Sequence, residues 1–500
     1  MKKFSQIIKT AALVFVSAVF TSQCFAQSSA RSASEINEQS RKYMELMNGV
    51  YDFVQRNYVD EVDPEVLYRG ALKGMLDALG DPYTLYLDNS TFRGLSDTTK
   101  GTFGGVGLSI SKPFESTADK PAYVEVASPV EDTPGFRAGI VAGDLIVSVE
   151  GIDTSTITMD EVLDKLRGPV GEKVNIVIRR GKNIEFPVTL TRAIIEVPTI
   201  KYGTIKTPKN GTAGYVRIIE FTPQTADRFQ QALDSFKKES ISGLIIDLRN
   251  NPGGLITSVY DVANKFIDNG PIVSTKSRLA FENSVFTASP DKTTFDKSTP
   301  IVVLINKGSA SASEILSGAL KDYHRAYLVG QRTYGKGSVQ QVLPLSASDG
   351  IKITMARYYT PSDTNIDKIG IPPDREVLFP VLNEEGEKQY SELIKSDEIA
   401  KYVELHKNMS EQAISAYGLT LKKKYPDIDF GSLKKLIRNE VNRTKGTMLY
   451  DLDYDIQLNA ALDILALPSS EYASLLKNTK TLKELQDEAA KAEEITAGKK

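Results

Sequence analysis

Five hundred residues exceed one ordinary domain, so the chain should divide into three or four. At 41% hydrophobic and 25% charged residues it has a globular composition with material for a full core. The net charge of −3 excludes the basic excess expected of a nucleic-acid binder.

Lys2, Lys3 and Lys9 flank or precede a mostly apolar run from Ala11 to Phe20, and Cys24-Phe25-Ala26 offers small residues where a signal peptidase reads. The run falls short of the ~20 residues that span a bilayer. Residues 1–26 are therefore expected to be a cleaved export signal, leading to the periplasm or cell envelope. Acylation of Cys24 is the weaker alternative, because Thr21 stands where such signals usually carry Leu or Val. Cys24 is the only cysteine, so the mature chain is expected to lack disulfides, a thiol nucleophile and zinc–thiolate sites.

Residues 27–100 are predicted helical. The clearest helix starts with Asp63 as N-cap and Pro64 at the first helical position, and Gly80 and Pro82 stop it. Leu67, Ala71, Met75 and Leu79 recur every four residues as its predicted packing face, within the chain or between subunits. From Gly101 to Arg192 the pattern changes to short strands and glycine-rich turns. Tyr123–Ala127, Asp144–Val149 and Val174–Arg179 are expected strands, and Met159–Arg167 an expected helix.

Residues 193–380 alternate buried strands with helices. Leu244–Leu248 leads into the turn Asn251-Pro252-Gly253-Gly254, and Ile301–Ile305 leads into Ser309-Ala310-Ser311-Ala312-Ser313 and a helix. Ala326–Val329 is a third apolar run, and such runs suit a sheet covered by helices on both faces. Residues 381–500 are charged and mostly helical, with amphipathic segments at Leu433–Val441 and Ile456–Leu465.

The chain has two histidines, His324 and His406, and neither stands in a metal-binding motif. Both are expected to be structural, which disfavours a His-based triad and a metal centre. The serine cluster offers another chemistry. Ser311 falls where a buried strand turns into a helix, and the first helical amides, lacking internal partners, can point at a developing oxyanion. The Gly253-Gly254 turn supplies further amides without a Cβ in the way. A serine needs a base, and Lys336, flanked by Gly335 and Gly337, is the candidate once desolvation lowers its pKa from about 10.4. Were strand geometry to start at Lys336, Gln340 would share its face and could orient the amine. Each feature alone also has a bland reading: a tight turn, a surface lysine, a solvent-facing glutamine.

Together these stretches resemble the carboxyl-terminal processing peptidases, or tail-specific proteases. The likeness rests on Asp247 to Gly254, Gly308 to Glu314, Gly330 to Gln341 and Gly370 to Asp374, and it runs from about residue 40 to 380 in the family's order. Gly101–Arg192 resembles that family's PDZ domain. The resemblance implies a multidomain α/β fold with a crotonase-like core (193–380), an inserted PDZ domain (101–192), and helical N-terminal (27–100) and C-terminal (381–500) regions. It implies Ser311 as nucleophile, Lys336 as base and Gln340 as its support, with Ser309 and Ser313 structural. Amides of Ala312 and of Gly253 or Gly254 would form the oxyanion hole. Gly105, Val106, Gly107 and Leu108 would receive a terminal carboxylate, the peptide adding as a strand beside Leu108–Ser111. Arg167 would contact the neighbouring domain.

The expectation is an exported serine endopeptidase acting on proteins or peptides with free C-termini, without metal or cofactor. Self-association and an activating or adaptor protein stay open. One rival is a PDZ scaffold with a silent or partner-gated core. Another is an acyl-CoA enzyme of crotonase type, which has no use for an export signal or a peptide-binding domain.

Overall fold

The computed structural model describes residues 38–113, 121–130, 133–141, 143–181, 184–196, 199–208, 211–346, 348–442 and 448–497. The export signal and Cys24 lie outside them. The chain forms two units, one ending at Tyr86 and one beginning at Leu87.

In the first unit, α1 (Glu38–Asn57) and α2 (Pro64–Asp77) are joined by a short turn. Asp63 caps α2 as expected, its carboxylate accepting from the Glu65 amide at 2.9 Å, and Gly80 adopts φ +64° beyond its end. Within the chain the expected packing face is met only at Leu67, which is half-buried; Ala71, Met75 and Leu79 stay exposed, and Leu76 is buried and Leu72 half-buried instead. A strict four-residue spacing drifts ~40° per step around a 3.6-residue helix, so that series spirals off any one face.

The second unit opens with α3 (Asn89–Lys100). The chain leaves it through β1 (Thr102–Gly105) and returns through β7 (Ala193–Glu196), which pair as an antiparallel ribbon. Between them lies a six-stranded antiparallel sheet whose main path runs β2 (Leu108–Ser111), β3 (Val124–Pro129), β4 (Leu145–Val149), β5 (Lys173–Arg180) and β6 (Ile184–Thr191), with the two-residue strand Ile152–Asp153 paired to β4 beside it. Helix α4 (Met159–Leu166) packs Val162 and Leu166 into its core, and Thr158 and Glu161 close a capping box at its start. Strand β2 is the edge of this sheet, paired only with β3.

The central sheet is ordered β8 (Ile200–Lys206), β9 (Thr212–Ile218), β10 (Gly243–Asp247), β13 (Ile301–Ile305), β14 (Tyr327–Gly330) and β17 (Arg375–Glu376), all parallel except β8. Every residue of β10, β13 and β14 is buried, as the apolar runs anticipated. Alternate residues serve opposite faces. Leu244, Ile246, Ile301 and Val303 meet α5 (Thr225–Lys238), α6 (Ile256–Ala263) and α7 (Ala312–Asp322). Ile245, Val302 and Leu304 meet a helix from far along the chain, described below. A second sheet, ordered β12 (Ser284–Thr287), β11 (Pro271–Ser277), β16 (Gly350–Tyr359) and β15 (Ser338–Pro344), leaves β15 paired only with β16.

The C-terminal helices divide their labour. Helices α8 (Glu384–Lys395), α9 (Glu398–Leu405), α10 (Glu411–Lys424) and α11 (Phe430–Val441) bury Leu393, Ile414, Leu421 and Ile437 in a core of their own. Helix α12 (Ile456–Leu465) instead covers the second face of the central sheet. It is anchored by a buried network. Arg249 forms a two-pronged contact with Asp455 at 2.7 and 2.8 Å and another with Asp247, whose carboxylate also accepts from the Tyr215 hydroxyl at 2.7 Å. Burial pushes the Asp247 carboxyl up, but the Arg249 charge more than reverses this and holds it below its usual value. Asp455 also caps α12 through the Leu458 amide.

Asp455→Ala removes a helix cap and one partner of a largely buried guanidinium. Unfolding followed by circular dichroism should show a loss of about 2–3 kcal/mol, with Asp455→Asn losing less because the cap survives.

Candidate active site

The turn carrying Ser311 is held in a conformation that costs energy. Ser311 has φ +55° and ψ −113°, which a non-glycine residue adopts only when its surroundings impose it. Its amide donates to Glu314 Oε2 at 2.9 Å, and its carbonyl accepts from Glu314 N, Ile315 N and the Tyr358 hydroxyl. The flanking serines are occupied: Ser309 Oγ donates to the Leu248 carbonyl at 2.8 Å and Ser313 Oγ to the Asn251 carbonyl at 3.0 Å. Both are fully buried, whereas Ser311 lines an open cleft of about 640 Å³.

Lys336 lines the same cleft, as does Gln340. The link between the two turns is Glu314, fully buried three residues after Ser311. Its Oε1 accepts from Thr333 Oγ1 at 2.5 Å and Gly335 N at 2.7 Å. Its Oε2 accepts from Lys336 N and from Ser311 N, both at 2.9 Å. One oxygen thus holds the Ser311 and Lys336 backbone nitrogens within about 6 Å of each other. Burial lifts the Glu314 carboxyl above the usual carboxylate range, while its four donors pull it back. Glu314 was missed as a site residue, although Ser-x-x-Glu ahead of an apolar helix is a capping-box signature that could have flagged it.

The strand after Lys336 starts later than the sequence suggested. Gly335 turns at φ +89° and Gly337 N is tied to Asp367 at 3.0 Å, so pairing begins at Ser338. Lys336 and Gln340 therefore do not share a strand face, though both reach the cleft. Gln340 Nε2 donates to Ser338 Oγ at 2.8 Å and Thr354 Oγ1 at 3.2 Å, which leaves its carbonyl oxygen as the acceptor.

Gly253 and Gly254 lie against Ser311 and differ in what their amides do. A Cβ on Gly253 would stand 2.7 Å from the Ser311 Cβ. The Gly253 amide donates to Asn251 Oδ1 at 2.8 Å. Phe221 bridges Gly254 in parallel fashion, donating to the Gly253 carbonyl and accepting from Leu255 N. That pattern turns the Gly254 N–H away from Phe221. Ala312 opens α7, where an N–H has no helical partner.

In the antiparallel domain, the Val106 carbonyl accepts from Gly135 N and the Gly107 carbonyl from Val130 N, both at 2.8 Å. In a trans peptide the next N–H points the opposite way. The Gly107 and Leu108 amides therefore face outward together at the start of the open edge β2. Gly107 itself turns at φ +73° over Thr133, leaving no room for a Cβ. Arg167 lies 4.8 Å from the centre of the ring of Phe103, a residue of the ribbon strand β1. His324 Nδ1 pairs with Thr479 Oγ1 and His406 stacks on Tyr402, and neither lines the cleft.

Three family models match the chain: peptidase family S41 over 212–377, the N-terminal domain of the activating protease CtpB over 7–91, and the PDZ domain over 125–180. A carboxy-terminal-processing protease of Bartonella bacilliformis is 35% identical over 435 residues, covering 86% of this chain and 96% of the relative. The carboxy-terminal processing protease CtpB of Bacillus subtilis is 32% identical over 366 residues, covering 73% and 74%. A solved photosystem II D1 C-terminal processing protease is 32% identical, covers 68% of this chain and 94% of its own, and superposes with a TM-score of 0.41. The fold and the matches define a serine-type peptidase with a PDZ domain and helical flanking regions. The chain belongs to the carboxy-terminal processing protease family.

Glu314→Gln should leave the protein folded but cut proteolysis at least about a hundredfold, because the new NH₂ faces backbone donors and the two turns separate. Circular dichroism and hydrolysis of an unfolded protein substrate, measured side by side, test this.

Proposed function

We propose that the chain is an exported serine endopeptidase that works through a Ser311–Lys336 dyad and cuts proteins near C-termini held by its PDZ domain. The observation that carries this reading is the shared Glu314 carboxylate, which binds the backbone of both residues beside one cleft. In the proposed reaction neutral Lys336 takes the Ser311 proton as Oγ attacks the scissile carbonyl. Gln340, its amide nitrogen anchored, offers its carbonyl oxygen to the lysine ammonium. Ala312 and Gly254 donate to the oxyanion, since the Gly253 amide is engaged by Asn251. The protonated lysine then gives its proton to the leaving amine, and water deprotonated by the same lysine releases the acyl group. These steps use the chain's own groups throughout.

The outward amides of Gly107 and Leu108, backed by Gly105 and Val106, suit a terminal carboxylate, and the open edge of β2 suits a strand of substrate. We take 101–192 as the PDZ domain and 193–380 as a protease core of crotonase-like build, preceded by 1–26 as signal and 27–100 as a helical region. The 381–500 region follows it. Export rests on the pattern of Lys2 to Ala26; among the described residues no helix is long and apolar enough to cross a membrane. Expected partners are polypeptides with free C-termini, with a second copy or an activating protein as further candidates; the CtpB-type N-terminal match supports looking for an activator.

Residues 27–500 should hydrolyse casein, and Ser311→Ala or Lys336→Ala should each reduce the rate at least about a thousandfold with folding intact. Activity surviving in Ser311→Ala would overturn the nucleophile. Amidating a peptide substrate's C-terminus should weaken its binding about tenfold, and Gly107→Ala should remove that difference, as fluorescence anisotropy would read.

A further inference from the structure

The cleft contains a carboxylate that the proposed reaction leaves unused. Glu220 lies just past β9, one residue ahead of Phe221, the residue that bridges Gly254. Its side chain is half-buried and lines the cleft together with Ser311 and Lys336. The backbone carbonyl of Glu220 accepts from Thr225 Oγ1 at 2.9 Å, but among the described residues its carboxylate has neither a hydrogen-bond donor nor an ion-pair partner. No other acidic residue lines the cleft.

Burial alone raises the Glu220 pKa, and no cation opposes it. Lys100, Lys336 and Lys352 line the same cleft, yet none pulls the carboxyl back down. Much of the remaining wall is apolar, including Phe92, Phe221, Leu255, Ile315 and Val339. A carboxylate partly stripped of water and given no donor is a site that a cation stabilises. An apolar wall beside it accommodates the methylene stem of a long basic side chain.

We infer that Glu220 is a specificity residue of this cleft, selecting a Lys or Arg side chain of the substrate next to the scissile bond. The inference rests on the cleft being the substrate site of the protease.

The test separates binding from cleavage. Full-length Ser311→Ala is titrated with fluorescent, C-terminally amidated alanine-based peptides, in which one position at a time carries Lys, norleucine or Glu. Amidation spares the PDZ groove. At one position Lys should bind about tenfold more tightly than norleucine. Adding Glu220→Gln should bring that ratio close to one, and adding Glu220→Lys should turn the preference toward Glu. In the Ser311→Ala background the ratio should also fall as pH is lowered, beginning above the range of an ordinary glutamate near 4.3, because the buried carboxyl protonates early. A ratio of one at every position, or a ratio that Glu220→Gln does not change, overturns the assignment. Cleavage of casein, whose C-termini are free, by the parent tests the protease reading on its own. Selective binding without cleavage would sink that reading and keep the subsite.

Discussion

Glu314 accepts from Ser311, Thr333, Gly335 and Lys336, and through these four bonds it sets the spacing of two turns that are far apart in the chain. Burying an ionised carboxylate costs several kcal/mol. Charge-assisted hydrogen bonds contribute about 1.5–3 kcal/mol each, so four of them offset much of it, and what is left shows in a carboxyl still raised above its usual value. A neutral side chain would satisfy fewer donors, since an amide brings hydrogens of its own. The position three residues past Ser311 also places the charge in the first turn of α7, where the helix dipole favours a negative group. The strained φ of Ser311 persists because its amide and carbonyl are both engaged by this cluster.

Helix α7 is buried along its whole length from Ala312 to Lys321, yet it carries a charge at each end. Lys321 pairs with Asp374 at the C-terminal end, so both charges complement the dipole and both are satisfied. Asp374 also accepts from Leu328 N, which ties the helix to β14. One residue on, Asp322 accepts from Ser362 N and Leu482 N. Leu482, at the start of α14 (Leu482–Ala497), sits in the same core as the helix it thereby touches. The last helix of the chain thus braces the element that presents Ser311.

That division of labour marks where sequence reasoning stopped. Ile301–Ile305 and Ile456–Leu465 were located to the residue, because an all-apolar strand and a strong helical period announce themselves. The serine cluster and the glycine turns were legible for a similar reason: few residue types suit a tight, positive-φ turn between a buried strand and a helix. The membership of α12 in the central core was not. Its apolar residues announce burial but not against what, and the partner that claims it, Arg249, is about two hundred residues away in the chain. Strands β11, β12 and β16 escaped for another reason. They lie in a sheet with one face less covered, where polar residues such as Thr275, Lys276 and Lys352 dilute the alternation. Glu314 and Glu220 do not stand out in the sequence as site residues, since neither burial nor a missing partner is written in local sequence.

Among the edge strands of the described sheets, two lie beside the features assigned to substrate. Strand β15 borders the cleft with Ser311, and β2 follows the outward amides of Gly107 and Leu108. Open edges invite association, and stable proteins usually block them with charge, proline or a covering loop. Here each edge is short, and β15 ends in Pro344. An extended polypeptide supplies the missing neighbour for either edge through backbone hydrogen bonds alone, whatever its side chains. Selection must then come from side-chain contacts at the cleft wall and from the chain end. In the proposed reading, an acidic residue beside the apolar part of the wall and a pair of outward amides at an edge would supply those two kinds of recognition, one for a basic side chain and one for a terminal carboxylate.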